Sequence, residues 1–322
     1  KPYCHTRPEV VRAAIAYFQA QGARRVYLVE GSTQANFTRV VFAVNGYAKL
    51  CRETGATPVY LDEEKTRTFR FDAGSSVSHC KRGDYDAATF ELPLTVAERL
   101  VDGREENLYV NIPKLKTHSM SGVTLGIKNQ WGFLVHASRG RDHNYNLHAK
   151  LADVLAIIRP DVTLIEGVEG TIHGHYPVTA LADRCVKPFR VLLGSTNVVA
   201  ADLAGAALLG LGPQDAQHLA DAIARGLSDG VSSADDVICE GDVESLAGLD
   251  LLGDRPPGGY PTDLCDAFPV DVALVTGTEL ACREGCINNP RTVLQVLAGD
   301  HGGRGGFTIV AGKGFAPDVI ER

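Results

Sequence analysis

The sequence predicts an α/β protein, a largely parallel sheet flanked by helices, with a small α/β unit near the C-terminus. Three observations carry this. Short apolar runs rich in Val, Ile and Leu alternate with longer segments of helical periodicity. Hydrophobic residues at 44% and charged residues at 22% supply a substantial core. Glycine is abundant, at 34 residues against only 7% aromatics, which suits many tight turns.

Taken in order, Thr6-Arg-Pro-Glu9 reads as a capping box with Pro8 in the first helical turn. Val11, Ala14, Ile15 and Phe18 then share a face, and Gly22 closes the helix. Residues 25–30 form a strand and Gly31-Ser32 begins a loop. A helix is expected over 40–54 and a strand over 58–61, which makes a βα alternation. Strands follow at 108–112, 162–165 and 189–193, with an amphipathic helix at 147–158 between the first two. Helices are expected at 198–209 and 216–226. Residues 227–268, rich in Asp and Gly, read as an insertion or linker between a core of 1–226 and a C-terminal unit of 269–322. That unit holds strands at 270–275 and 307–311 and a helix at 290–298.

A formal charge of −7 argues against nucleic acid or an anionic membrane as partner. No apolar run approaches the roughly 18 residues that a membrane span needs. Positions 1–30 read as helix then strand, not as a signal peptide. Eight cysteines are scattered through the chain without secreted-scaffold density, so a reduced, cytoplasmic protein is expected. The chain opens at Lys1-Pro2 without Met, so a preceding piece is expected. The H-E-x-x-H, G-x-S-x-G, G-x-G-x-x-G and P-loop patterns are absent.

The most informative stretch is Asn111-Ile-Pro-Lys-Leu-Lys-Thr-His118 with Gly126-Ile-Lys-Asn129. In an extended chain Lys114, Lys116 and His118 point the same way. Three potential cations on one face repel unless something anionic lies among them. Lys128 and Asn129 follow where the chain turns into a helix, whose first amides also favour an anion. The pattern points to a pocket for a carboxylate, phosphate or anionic cofactor. A solvated strand end accounts for it about as well. A lysine crowded by cations can also serve as base or nucleophile.

The run PKLKTH, its spacing to GIKN with the following Trp-Gly, and a histidine before a helix resemble the DUF362 family. Lys1-Pro2, the helix at 8–22, Glu30-Gly31, the LIEG of 164–167 and the GSTNVVAAD of 194–202 extend the resemblance. It implies a site set of Lys1, Lys114, Lys116, His118, Lys128, Asn129, His148 and Asp202. Tyr3 and Glu166 depart from the family's usual Asn and Asp. Family members often accompany iron–sulfur modules, the main mechanistic hint the resemblance supplies. His143 rivals His148, and His136, His173 and His175 are further loop histidines. Cys282 and Cys286, four apart after a strand, could share a metal or cluster, or be buried small residues at a turn.

The leading expectation is a cytoplasmic enzyme acting on a small anionic substrate, with iron–sulfur or metal assistance as an option. Lys1, Lys114, Lys116, Asn129 and Asp202 would bind the substrate, Lys128 would help hold the anion and is a catalytic candidate, His118 or His148 would move a proton, and Cys282 and Cys286 would carry a cluster. The alternative is a non-catalytic protein that binds or delivers a cluster, metal or cofactor. An electron-transfer partner and a homo-oligomer are compatible with either.

Overall fold

The structure is a computed structural model. It describes residues 2–32, 37–70, 81–82, 85–86, 88–118, 120–135, 139, 143, 147–172, 174, 185–242, 272–279, 286, 290, 293–294, 297–298 and 301–315. The α/β class expected from the sequence is the one adopted.

Helix α1 (Pro8–Ala20) starts with Pro8 in its first turn and ends before Gly22, whose φ of +98° only glycine takes readily. The expected capping box does not form. Arg7 stands at the N-cap without a side-chain bond, and the Thr6 hydroxyl instead donates to the Ile112 carbonyl at 2.8 Å. That bond ties the N-terminal segment to the central sheet. Strands β1 (Tyr27–Glu30) and β2 (Thr57–Tyr60) pair in parallel. Between them the single helix expected over 40–54 is two helices, α2 (Thr38–Val44) and α3 (Tyr47–Thr54). Gly46, at φ +85°, breaks it. Val11, Ile15, Phe42 and Leu50 close a small core beneath this unit.

Strands β3 (Thr66–Arg70) and β6 (Thr89–Pro93) pair antiparallel, and the short β4 (Lys81–Arg82) and β5 (Tyr85–Asp86) form a second antiparallel pair. The sequence reading did not anticipate these strands, whose apolar residues are interrupted by charges. A helical turn, α4 (Leu94–Val96), then leads toward the main sheet.

That sheet contains β7 (Val110–Asn111), β8 (Lys114–His118), β9 (Gly122–Thr124), β10 (Val162–Thr171), β11 (Val186–Lys187) and β12 (Val191–Ser195). β10 is its axis: β7 and β8 join it in parallel, β11 and β12 antiparallel. β10 runs well past the 162–165 expected from its apolar residues. Glu166 and Gly167 broke the apolar pattern, yet both are buried in the strand. Helices α5 (Gly126–Asn129), α6 (Leu147–Ile157), α7 (Val198–Leu208) and α8 (Gln217–Ala224) pack around this sheet. α6 is buried nearly all round rather than on one face. Its interior charges are compensated: Lys150 Nζ donates to the Thr89 carbonyl and Asp153 pairs with Arg225 at 2.7 Å. β13 (Val272–Thr276) and β14 (Phe307–Ala311) pair in parallel in the C-terminal segment.

Candidate functional site

The Lys/His segment folds as expected locally, with residues 114–118 extended as β8. Its lysines have different fates. Lys114 lies directly across from Glu166 on β10, and Nζ meets Glu166 Oε2 at 2.7 Å. The two side chains are 2% and 0% exposed. Glu166 also accepts from the amides of Arg7 and Val168 at 3.2 and 2.9 Å. Burial lowers the Lys114 pKa, and the Glu166 hydrogen bond opposes that. The anion the sequence demanded for this lysine is thus supplied by the chain itself.

Lys116, two residues on and half-buried, donates from Nζ to the Cys4 carbonyl at 2.7 Å. Burial pushes its pKa below the ordinary lysine value, while Glu30 pulls it back up. His118, the third residue on this face, accepts at Nδ1 from the amides of Met120 and Ser121 at 3.0 and 3.3 Å. In the neutral ring this leaves Nε2 as the N–H nitrogen. The His143 ring lies 5.7 Å from that of His118 and 6.1 Å from Trp131.

Lys128 sits on α5, a turn held from several directions. Asp202, fully buried, accepts from the amides of Gly126 and Ile127 at 2.6 and 2.9 Å. Burial raises its carboxyl to about 7, against the pull of those two amides. Asn111 donates to the Gly126 carbonyl at 2.9 Å and accepts from Asn129 at 2.8 Å. A Cβ on Gly126 would come within 2.6 Å of Val198 and 2.8 Å of Asp202, so the turn needs glycine there. Asp202 and Asn129 therefore position this turn through these bonds.

The Lys128 side chain is 7% exposed and makes no hydrogen bond or ion pair among the described residues. Burial, and then the charges of Lys116 and Arg139, bring its amine down to about 7. Arg139 is itself buried. One guanidinium nitrogen donates to the Gly31 carbonyl at 2.9 Å, and Nε has no hydrogen-bond partner. Gly31 packs so closely on Gly132 that a Cβ would collide with the Gly132 carbonyl, which joins the β1 loop to the Trp131-Gly132 turn. Beside it Glu30 accepts from its neighbouring Gly31 amide at 2.9 Å. Glu30 keeps a large exposed surface, yet the surrounding protein raises its carboxyl pKa by desolvation. The charges of Arg139 and Lys116 oppose that rise.

The charges of Lys116, Lys128, Arg139 and Glu30 act on one another as one cluster: two cations tied to backbone carbonyls, one titrating amine and one desolvated carboxyl. Its excess of positive charge, partly removed from water, suits a small anion. Glu30 and Arg139 stood outside the expected site set. The signal that could have found Glu30 is its place at a strand end before a glycine, where open α/β sheets put ligand contacts. Arg139 offered no signal beyond its proximity to His143.

His148 lies on α6, and the charge of Lys128 reaches the His218 that it contacts. Its Nδ1 accepts from the His218 amide at 3.1 Å and its ring stacks on His218 at 5.7 Å. His218 is 0% exposed, its two ring nitrogens have no hydrogen-bond partner, and burial lowers its pKa well below the ordinary value. Nothing in the sequence singled it out. Of the remaining expected residues, Lys1, His136, His173, His175 and Cys282 lie outside the described residues. Cys286 is half-buried. Among the described residues no group of three His, Cys, Asp or Glu side chains could hold a metal ion. A four-thiolate cluster site is not assembled by the described residues.

Comparison with known proteins shows the family of the chain. The chain matches the family model described as "Domain of unknown function (DUF362)" over residues 1–207, a span that includes Glu30, β8, α5, Arg139 and Asp202. It is similar to a thylakoid-associated protein of Synechocystis sp., 26% identical over 183 residues, covering 53% of this chain and 50% of that protein. The chain thus spans about half the length of the curated relative it matches. No solved structure matches it. With the family match extending over well more than half of its length, the chain belongs to the DUF362 family.

Proposed function

We propose that this protein is an enzyme acting on a small anionic substrate bound in the recess of Glu30, Lys116, Lys128 and Arg139. Lys116 and Arg139 hold the anion. Lys128 serves as the group that gains and loses a proton near neutrality, with His118 as a second proton carrier. Lys114 and Asp202 act from behind, keeping β8 and α5 in place. The observation that carries the reading is Lys128, a buried amine beside two other cations with no acceptor among the described residues. Such a group costs stability, and the cost is offset when a ligand supplies the missing negative charge.

The test is calorimetric titration of the full chain with phosphate and a panel of small mono- and dicarboxylates at low and high salt. Saturable binding of at least one, weakened about tenfold in Lys116→Gln and again by added salt, is expected. Absence of binding across the panel, or binding indifferent to Lys116→Gln and Lys128→Met, would overturn the reading.

The second reading, a non-catalytic protein that binds or delivers a metal, cluster or cofactor, rests on Cys282 and Cys286. Metal and sulfide analysis of protein purified without oxygen separates the two. Iron and sulfide lost together in a Cys282→Ala/Cys286→Ala variant would favour delivery or redox chemistry with an electron-transfer partner. A cytoplasmic location is part of the first reading. No helix among the described residues is long and apolar enough to cross a membrane. The relative's printed association with thylakoids makes a peripheral membrane location the competing outcome of cell fractionation.

A further inference from the structure

We infer that Lys128 is a nucleophile that forms a Schiff base with a small oxo acid whose carboxylate is held by Lys116 and Arg139. This rests on the anion-binding reading of the recess and names its substrate class.

Three features of the site converge on it. First, Lys128 is 7% exposed and has no hydrogen-bond or ion-pair partner among the described residues, so nothing in the recess holds it as an ammonium. Second, its charged neighbours are cations that are themselves fixed. Lys116 is tied to the Cys4 carbonyl and Arg139 to the Gly31 carbonyl. A lysine desolvated beside another cationic group is the arrangement that leaves an amine free to attack a carbonyl. Third, α5 is rigid. Asp202 and Asn111 bind its backbone, and Gly126 is wedged against Val198, so the amine is presented from a fixed turn. The low amine pKa of about 7 agrees with this, since a large neutral fraction exists at neutral pH.

An oxo acid matches the recess in both of its parts. Its carboxylate answers Lys116 and Arg139, whose Nε lacks a hydrogen-bond partner. Its carbonyl, one or two carbons away, faces the amine. In the reaction a bond forms between Lys128 Nζ and the carbonyl carbon, giving a carbinolamine. The carbonyl oxygen then leaves as water with the two hydrogens of the amine, and a C=N bond replaces C=O. A proton from solvent converts the imine to an iminium. That new cation arrives together with the substrate's carboxylate, so the added charge is compensated.

The experiment is reductive trapping on the full chain. Protein is incubated with pyruvate, 2-oxoglutarate or acetoacetate, treated with sodium borohydride, and examined by intact mass and peptide mapping. The expected result is one adduct weighing the oxo acid less one oxygen, mapped to Lys128. It should be absent in Lys128→Arg, reduced about tenfold at limiting oxo acid in Lys116→Gln, and suppressed by excess phosphate. Mapping in the native protein does not depend on how the variants fold. Saturable calorimetric binding of an oxo acid with no adduct at Lys128 would overturn the Schiff base and leave the anion site standing. Adducts spread evenly over exposed lysines would overturn it as well. Neither binding nor adduct with any of the three acids would remove both readings.

Discussion

Two buried lysines, Lys114 on β8 and Lys128 on α5, resolve the same physical problem in opposite ways. Lys114 is given Glu166, which also takes two backbone amides, so its charge is neutralised inside the protein. Lys128 is placed beside Lys116 and Arg139 with no acceptor among the described residues. The first arrangement fixes one strand against another. The second leaves the amine without a negative partner among the described residues. A lysine-rich motif therefore mixes lysines neutralised within the protein with one that is not, and only the partner of each ammonium separates them.

The contrast can be broken most strongly at Lys114. Lys114→Met leaves Glu166 as a buried carboxylate without its counter-ion and should cost about 3–5 kcal/mol, read from urea unfolding. The double change Lys114→Met/Glu166→Gln should recover part of that loss. If Lys114→Met unfolds at the wild-type midpoint, the pair does not have the structural role given it here.

Lys128→Met should act in the other direction, stabilising by about 1–3 kcal/mol at pH 6. The sign follows from the lowered pKa. Between about 7 and 10.5 the unfolded chain holds a proton on Lys128 that the folded chain does not, so wild-type stability rises with pH through that window. Below it the burial cost is present in full. The gain from Lys128→Met should therefore shrink as pH rises toward 10, and thermal melts across pH 6–10 would show it. A gain independent of pH would mean that packing, not charge, is responsible.

A smaller effect is expected at Asp202. Asp202→Asn keeps one acceptor but turns an amide group toward the Gly126 and Ile127 N–H groups, at a cost of about 1–2 kcal/mol. It should also weaken anion binding, since α5 carries Lys128. Unchanged binding with reduced stability would separate the turn from the site. Smallest of all, Lys116→Gln should change stability by under about 1 kcal/mol while reducing anion affinity about tenfold. Calorimetry and melting on the same sample would test that split.

Much of the frame was legible in the chain. Pro8 and Gly22 bracketed α1, apolar runs located β1, β2, β12, β13 and β14, and the run from Lys114 to His118 announced an extended strand. Elements that failed to announce themselves did so for identifiable reasons. β3 and β6 carry charges between their apolar residues, and the far half of β10 contains Glu166, Gly167, Glu169 and Gly170. Such residues look like loop until a neighbouring strand supplies Lys114 and close packing. Gly46 gave no sign that it would split one helix into two, because a lone glycine is tolerated in many helices.

The sequence by itself determined the α/β class, the extended conformation of 114–118 and the crowding of cations around it, since periodicity and spacing are local properties. Only the tertiary structure decided which of those cations is neutralised. Glu166, 52 residues beyond Lys114, and Gly31 and Arg139, 108 residues apart, meet through sheet register and glycine packing. Charge compensation acts across space, over a few ångströms, and no pattern along the chain records it.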